Sequence, residues 1–460
     1  MRIERDSMGK VAVPSEAYYG ASTARALENF PVSDLRFPAV FIEALCLIKS
    51  CSARVNQELG LLEGNLADAI VAACDRIAAG EFHDQFVVDI FQTGSGTSTN
   101  MNANEVIANL AIESLGGKRG DRNLIHPNDH VNLGTSSNDV IPTAIHIAAL
   151  LEIGRVLRPA LIELKETLSQ KAVLFMPVVK TGRTHLQDAV PIRLGQEFLG
   201  YSGQIERALL KLQYAEGLLA EVALGGTAVG TGLNTERGFS RRVLELINKR
   251  TALILTETDN HFQAQSTIDG IVAASGVMKS IAVSMLKILN DIRFLASGPR
   301  AGYGELKLPS VQPGSSIMPG KVNPVIAEST AMVCAQVVGN DAVITLAGQS
   351  GNFELNVMLP VAGYNLLQSI ALLGHSSQNF SRRCVNDIEA TDRGPELVSK
   401  GLSLCTALVP AIGYDQACRV SKHAESTGCS IMEAALDLTE LDESKLAEIL
   451  DPARMTGEGG

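Results

Sequence analysis

Apolar residues recur along this chain with a helical period over five long stretches, at about 143–175, 191–224, 263–297, 324–348 and 359–391. Each is far longer than the average helix of about 11–12 residues. In Ile268-Asp269-Gly270-Ile271-Val272-Ala273-Ala274-Ser275-Gly276-Val277-Met278, small residues interleave with aliphatic ones. A helix that is apolar on most sides belongs inside a bundle, and Gly and Ala there let helices from several chains approach closely. Five such helices exceed the needs of one small domain and predict a bundle shared between subunits. Residues 1–135 instead mix short helical patterns with loops rich in Gly, Ser, Thr and Asn, and the texture changes near 139. From 396 onward the chain reads as a smaller helical unit whose last residues, Met455–Gly460, are expected to be poorly ordered. The expected fold is mainly α, in three domains: 1–138, mixed helical; 139–395, the long-helix bundle; 396–460, small and helical. No internal repeat or low-complexity linker interrupts it.

Composition narrows this picture. The 460 residues suit about three domains and suffice to bury a core without disulfides or a structural metal. With 39 basic and 50 acidic residues, the net charge is −11. An acidic chain without Lys/Arg tracts argues against nucleic acid or an anionic membrane as partner. Charged residues are 19% and hydrophobic ones 46%, a balance that suggests surface hidden between subunits. Aromatics are 4% and Trp is absent, so the core is aliphatic. The eight cysteines form no C-x-x-C pair and mostly lie in apolar helical patterns, as reduced thiols would. Met1–Asp6 carries mixed charges and no apolar run, against a signal peptide. No uninterrupted apolar stretch reaches about 18 residues, against a membrane span. A cytoplasmic location is expected.

Four polar clusters each precede a long helical pattern. They are Thr93-Gly94-Ser95-Gly96-Thr97-Ser98-Thr99-Asn100; His126-Pro127-Asn128-Asp129-His130 with Ser136-Ser137-Asn138-Asp139; Gly182-Arg183-Thr184-His185-Leu186-Gln187-Asp188; and Gly314-Ser315-Ser316-Ile317-Met318-Pro319-Gly320-Lys321-Val322-Asn323-Pro324. Any one alone reads as a helix cap. Together they gather hydroxyls, amides, a His and a Lys at helix starts, whose free N–H groups and positive dipole ends bind anions. Converging, they would cradle a small di- or tricarboxylate.

The fourth cluster has Gly314 and Gly320 for backbone freedom, Lys321 for charge, Asn323 for an amide, and Ser315 and Ser316 for hydroxyls. It is not a P-loop, because the glycine spacing is longer and Val322 follows Lys321. His185, among Arg183, Thr184, Gln187 and Asp188, is the best general acid/base candidate. Glu328, four residues after Pro324, could orient and charge an imidazole. His146 lies in an apolar pattern and reads as a satisfied core histidine.

At these clusters the sequence resembles the fumarase/aspartase superfamily, and most closely its class II fumarases, over nearly the whole chain. Gly314–Pro324 (GSSIMPGKVNP) is similar to the superfamily signature; Gln92–Asn100 (QTGSGTSTN), His126–Asn132 (HPNDHVN), Gly225–Asn234 (GGTAVGTGLN) and Phe353–Val357 (FELNV) support it. The resemblance implies a homotetramer of three-domain helical chains, each active site drawing on three subunits. It further implies anti elimination across a C–C bond of a small dicarboxylate, namely reversible hydration of fumarate to L-malate, without metal or organic cofactor. By the same resemblance Ser315 is the base at C3, and His185 paired with Glu328 is the acid/base partner. Lys321 and Asn323 contact the carboxylate and the aci-carboxylate. Ser95, Thr97, Asn100, Ser136, Ser137, Asn138 and Thr184 hold the substrate carboxylates, and His126, Asn128 and Asp129 form a second carboxylate site.

Some segments depart from the fumarase pattern. Tyr18–Thr23 stands where many fumarases carry Leu-Trp, while Leu186, Pro191–Leu194 and Gly298–Gly302 look more like aspartate ammonia-lyases. Gln92–Thr97, Ser136–Asp139, Gly225–Asn234 and Gly320 favour the hydratase. The alternatives are thus an aspartate ammonia-lyase, or a dicarboxylate-binding oligomer without turnover.

Overall fold

The computed structural model describes residues 1–457. They form a mainly helical chain, as expected. The helices are α1 (Ala21–Asn29), α2 (Ala39–Glu58), α3 (Gly64–Ala78), α4 (Thr97–Ser114), α5 (Ser137–Glu152), α6 (Arg158–Phe175), α7 (Leu194–Leu219), α8 (Phe239–Thr251), α9 (His261–Ser266), α10 (Asp269–Leu295), α11 (Val325–Gly348) and α12 (Leu359–Arg383). Five shorter ones follow: α13 (Arg393–Val398), α14 (Val409–Ile412), α15 (Tyr414–Thr427), α16 (Ile431–Leu438) and α17 (Glu443–Ile449). Strands occur among the described residues only as two-stranded ladders, chiefly the antiparallel hairpins β1 (Arg2–Asp6) with β2 (Gly9–Val13) and β3 (Val179–Thr184) with β4 (Gln187–Arg193).

All five predicted long segments are helical. The first begins earlier than expected, at Ser137, where Ser136 and Asp139 cap α5, and it runs on into α6 through a wide π-type turn at Ile153–Leu157. In the third, the short α9 is separate from α10.

Two compact units are formed, the first by residues 1–159, 210–282 and 335–374, the second by 160–209, 283–334 and 375–460. The division falls inside the long helices. In the first unit α2 is the central helix, packed on α3, α5 and α8, and its positions from Phe41 to Asn56 are nearly all buried. Helix α1 starts at Gly20, which has no capping side chain. Glu105 of α4 takes that role, accepting from the amides of Gly20 (2.8 Å), Ser22 (2.8 Å) and Thr23 (3.1 Å). Burial pushes its carboxyl above the usual range, against the pull of these bonds.

In the second unit, residues 404–450 close an aliphatic core of their own around Leu408, Val420, Ala434 and Leu446. The chain end differs from expectation. Thr456 is buried, its hydroxyl accepting from Arg193 Nε (3.0 Å) and its carbonyl from Gln196 Nε2 (3.0 Å), so these side chains tie down what composition alone marks as a loose tail. Residues 458–460 lie outside the described residues.

Three helical stretches, Ser137–Phe175, Asp269–Leu295 and Val325–Gly348, are long and apolar enough by length and composition to cross a membrane. The count of uninterrupted apolar residues therefore does not exclude a span by itself. These helices also carry buried polar groups with partners in the chain. Asn340 of α11 donates to Ser369 Oγ (3.0 Å), and Ser275 of α10 donates to Asp341 of α11 (2.8 Å).

Candidate active site

The first two clusters come together in the first unit, at the starts of α4 and α5. Gly96, with φ of 74°, turns the chain into α4, and a Cβ on it would stand 2.9 Å from Ile141. Beside it the hydroxyls of Ser95 and Thr97 are 2.8 Å apart. Gly94 is held by the 351–359 segment, its carbonyl accepting from Leu359 N (3.0 Å).

Helix α5 opens with a reciprocal cap. Ser136 N donates to Asp139 Oδ1 (2.9 Å) and Asn138 N to Ser136 Oγ (3.3 Å). The other Asp139 oxygen accepts from Gly225 N (3.1 Å) and Thr227 N (3.0 Å), and Asn138 Nδ2 donates to Ala228 O (2.7 Å). The Gly225–Asn234 segment is thus fastened to the start of α5. Asn100 Nδ2 donates to Ser137 Oγ (3.0 Å) and to Asn132 Oδ1 (3.1 Å), joining the two helix starts directly. Among the predicted residues, Ser95, Thr97, Asn100, Ser136, Ser137 and Asn138 form one hydroxyl- and amide-rich face.

His126, Asn128 and Asp129 form a separate turn. His126 Nδ1 accepts from the amides of Asn128 and Asp129 (both 3.2 Å). A nitrogen that accepts carries no proton, so the nearby Asp129 carboxylate (3.2 Å) does not face an imidazolium. Burial likewise holds the His126 imidazole below its ordinary range.

The remaining candidates belong to the second unit. His185 and Leu186 are the two central residues of the β3–β4 turn, both at positive φ (57° and 60°), between the paired Thr184 and Gln187. This corrects the expectation that the third cluster is a helix start: it is a hairpin of type I′ geometry, and α7 begins only at Leu194. The turn holds two non-glycine residues in a left-handed conformation, the kind of strain that collects at functional sites. Thr184 and His185 are exposed at its tip.

A buried ion cluster supports the hairpin from below. Lys180 Nζ lies 2.8 Å from Glu197 and 3.0 Å from Glu305, Arg183 donates to Glu305 (2.5 Å), and the Arg183 guanidinium stacks on Tyr303. Apart from Arg183, which stands in the third polar cluster, these residues belong to none of the four clusters. Their one signal is charge within otherwise apolar or β-like segments.

The Gly314–Pro324 loop folds back on itself before α11. Gly314 N donates to Lys321 O (2.9 Å), and Asn323 Nδ2 donates to Gly314 O (2.6 Å), which occupies one N–H of the predicted carboxylate contact. Within this frame Ser315 Oγ accepts from two successive amides, Ile317 N (3.2 Å) and Met318 N (3.0 Å). Two N–H dipoles aimed at one oxygen stabilise negative charge on it. Lys321 is exposed on the same loop, and Glu328 lies in the first turn of α11. Among the described residues, His185 and Glu328 form no ion pair within the chain.

Comparison with known proteins follows the same lines. Residues 9–339 match the family model described as Lyase, and residues 404–457 that described as Fumarase C C-terminus. Over 459 residues the chain is 50% identical to the class II fumarate hydratase of Halobacterium salinarum, covering 100% of this chain and 97% of that one. It is 48% identical over 457 residues to the class II fumarate hydratase of Ralstonia nicotianae, covering 99% of each. Among solved structures, the class II fumarase of Schistosoma mansoni matches with a TM-score of 0.97 at 40% identity over 99% of both chains. A fumarate lyase:delta crystallin from Brucella melitensis matches with a TM-score of 0.96 at 45% identity, over 99% of this chain and 100% of that one.

Proposed function

Since the chain belongs to the fumarase/aspartase superfamily and within it to the class II fumarases, we propose that it catalyses the reversible hydration of fumarate to L-malate. The observation that carries the reading is the pair of amides on Ser315 Oγ. A free serine hydroxyl is far too weak a base to take the C3 proton of malate, and preorganised N–H groups are what lower the cost of its alkoxide. Lys321 on the same loop adds positive charge. Removal of the proton leaves an aci-carboxylate, whose extra charge Lys321 and Asn323 stabilise. Loss of the hydroxyl on the opposite face is assisted by His185, with Glu328 orienting and charging the imidazole. Ser95, Thr97, Asn100, Thr184, Ser136, Ser137 and Asn138 hold the two carboxylates, and the His126, Asn128 and Asp129 turn offers a second carboxylate site.

The site is completed by assembly. Among the described residues His185 and Glu328 form no ion pair, and in the proposed assembly they meet across a subunit boundary. Large apolar side chains stand exposed on the long helices, among them Met332 (68%) and Leu346 (62%) of α11 and Tyr214 (67%) of α7. Only 33% of the apolar window in α11 is buried, and an apolar helix left so exposed is what an interface would cover; this supports a homotetramer in which each site draws on three subunits. A three-part chain, 1–138, 139–395 and 396–460, and a cytoplasmic location belong to the same reading.

The test is direct. Purified protein given L-malate, without added metal, should produce fumarate, seen as rising ultraviolet absorbance. Turnover of L-aspartate with release of ammonia, and none of malate, would instead assign an ammonia-lyase. Dicarboxylate binding without any turnover would leave a non-catalytic oligomer.

A further inference from the structure

Beneath the face formed by Asn100 and Ser137 lies a lysine that the mechanism does not use. Lys49, in the middle of α2, is fully buried between the apolar Leu47-Ile48 and the small Ser50-Cys51-Ser52. Its ammonium donates to Asn132 Oδ1 (2.6 Å) and more weakly to Thr135 Oγ1 (3.4 Å). The same Asn132 oxygen accepts from Asn100 Nδ2 (3.1 Å), Asn104 Nδ2 (3.2 Å) and Thr135 Oγ1 (3.2 Å), while Asn132 Nδ2 donates to Thr135 O (3.0 Å).

The direction of these bonds is set from two sides: an ammonium has donors and no acceptor, and the Thr135 carbonyl can only accept. Asn132 must therefore turn its oxygen toward Lys49. Asn100 must then turn its NH2 toward Asn132, and its second N–H reaches Ser137 Oγ at 3.0 Å. A hydroxyl that already accepts keeps its own proton to give outward. Polarity set at Lys49 thus reaches the first residue of α5 through two amides.

We propose that Lys49 is a positioning residue for the dicarboxylate, orienting Asn132 and Asn100 so that Ser137 presents its O–H to a substrate carboxylate. This rests on the reading of Ser137 as a carboxylate contact in a fumarate-hydrating site. Neutralising Lys49 would leave the Thr135 carbonyl to hold Asn132, loosening the amides' orientation and with it the direction of the Ser137 O–H.

The groups facing the ammonium are Cys46 on its own helix, Cys74 on α3 and Asp139 on α5. Asp139 carries its charge toward three backbone amides rather than toward Lys49, and burial pushes the Cys74 thiol well up. Among the described residues no carboxylate forms an ion pair with the ammonium, and burial pulls its pKa down to about 7. The protonated, orienting form is present below neutrality and is lost as pH rises.

The experiment is steady-state kinetics on the full assembled enzyme with L-malate, for the wild type, Lys49→Met and Lys49→Gln. In Lys49→Met the KM should rise roughly tenfold or more, as loss of a bond to a charged group implies, while kcat changes much less and Tm does not fall. In Lys49→Gln, whose amide can still donate to Asn132, part of the KM should return. The wild-type KM should climb as pH passes neutrality, and that climb should flatten in Lys49→Met.

A KM within twofold of wild type in Lys49→Met, or a wild-type KM with no alkaline rise, overturns the inference. If the Met variant fails to assemble, the wild-type pH profile and Lys49→Gln still decide. Absence of malate turnover in the wild type would remove the functional reading and this inference together, whereas turnover with an unaltered variant removes only the inference.

Discussion

At the scale of single residues, the chemistry depends on where a few protons sit. The two amides on Ser315 Oγ cannot be replaced by another side chain's charge, so Ser315→Ala should lower kcat by roughly 10²–10⁴-fold with the assembly intact by light scattering. Near-normal turnover would take the role of base away from Ser315. In the proposed reaction His185 acts on the departing hydroxyl rather than on the resting carboxylates. His185→Asn should therefore reduce kcat by about 10²-fold or more with a smaller change in KM; a pure KM effect would make it a substrate contact. Both residues were legible in the sequence because they stand in dense polar clusters. Lys49 was not, since a lone lysine within a helix has no visible partner until Asn132, 83 positions away, is brought beside it.

At the scale of elements, local pattern predicted well wherever one helix face decided the outcome. The long helices α7, α10 and α12 follow from apolar period, α11 from an apolar run on all sides, and the start of α5 from its Ser136/Asp139 capping box, whereas α4 starts at Gly96 with no capping side chain. The β3–β4 hairpin did not. Its turn residues, His185 and Leu186, lack the Asn-Gly or Gly signal that a type I′ turn normally carries, and the strand leading into them is braced by Lys180 and Arg183 of β3 through Glu197 and Glu305, which lie later in the chain.

The Gly314–Pro324 loop is governed differently. A Cβ on Gly314 would sit 2.4 Å from Lys321 O and 3.0 Å from Asn323 N, both backbone atoms. Gly314→Ala should therefore open the loop and misplace the Ser315 oxygen. A drop in kcat of about tenfold to 10²-fold is expected, because a 1 Å displacement of a reacting group suffices for that. Tm should scarcely move, since the loop contributes little burial; a wild-type kcat would show that the fold-back contact is dispensable.

At the scale of the whole molecule, the exposed apolar faces of the long helices are the feature a single chain leaves unexplained. Leu346→Glu places a charge where apolar contact is proposed, and burying an unpaired carboxylate there is costly. Light scattering should report species smaller than the wild-type assembly, with malate turnover falling in parallel as residues from different subunits separate. An unchanged mass would mean that α11 does not lie in the interface.

Apolar period, polar clusters and the absence of Trp or basic tracts were enough to determine a helical, aliphatic chain with carboxylate-binding chemistry, because each depends on neighbours a few positions apart. Which side chains meet was decided by the tertiary structure. It turned Glu105 into the cap of α1, anchored Thr456 through Arg193, bent the His185 segment into a strained hairpin and set Lys49 under Asn100 and Ser137. The physical reason is that a hydrogen bond or a buried charge is satisfied by whatever lies within about 3 Å, and only the folded chain settles what that is.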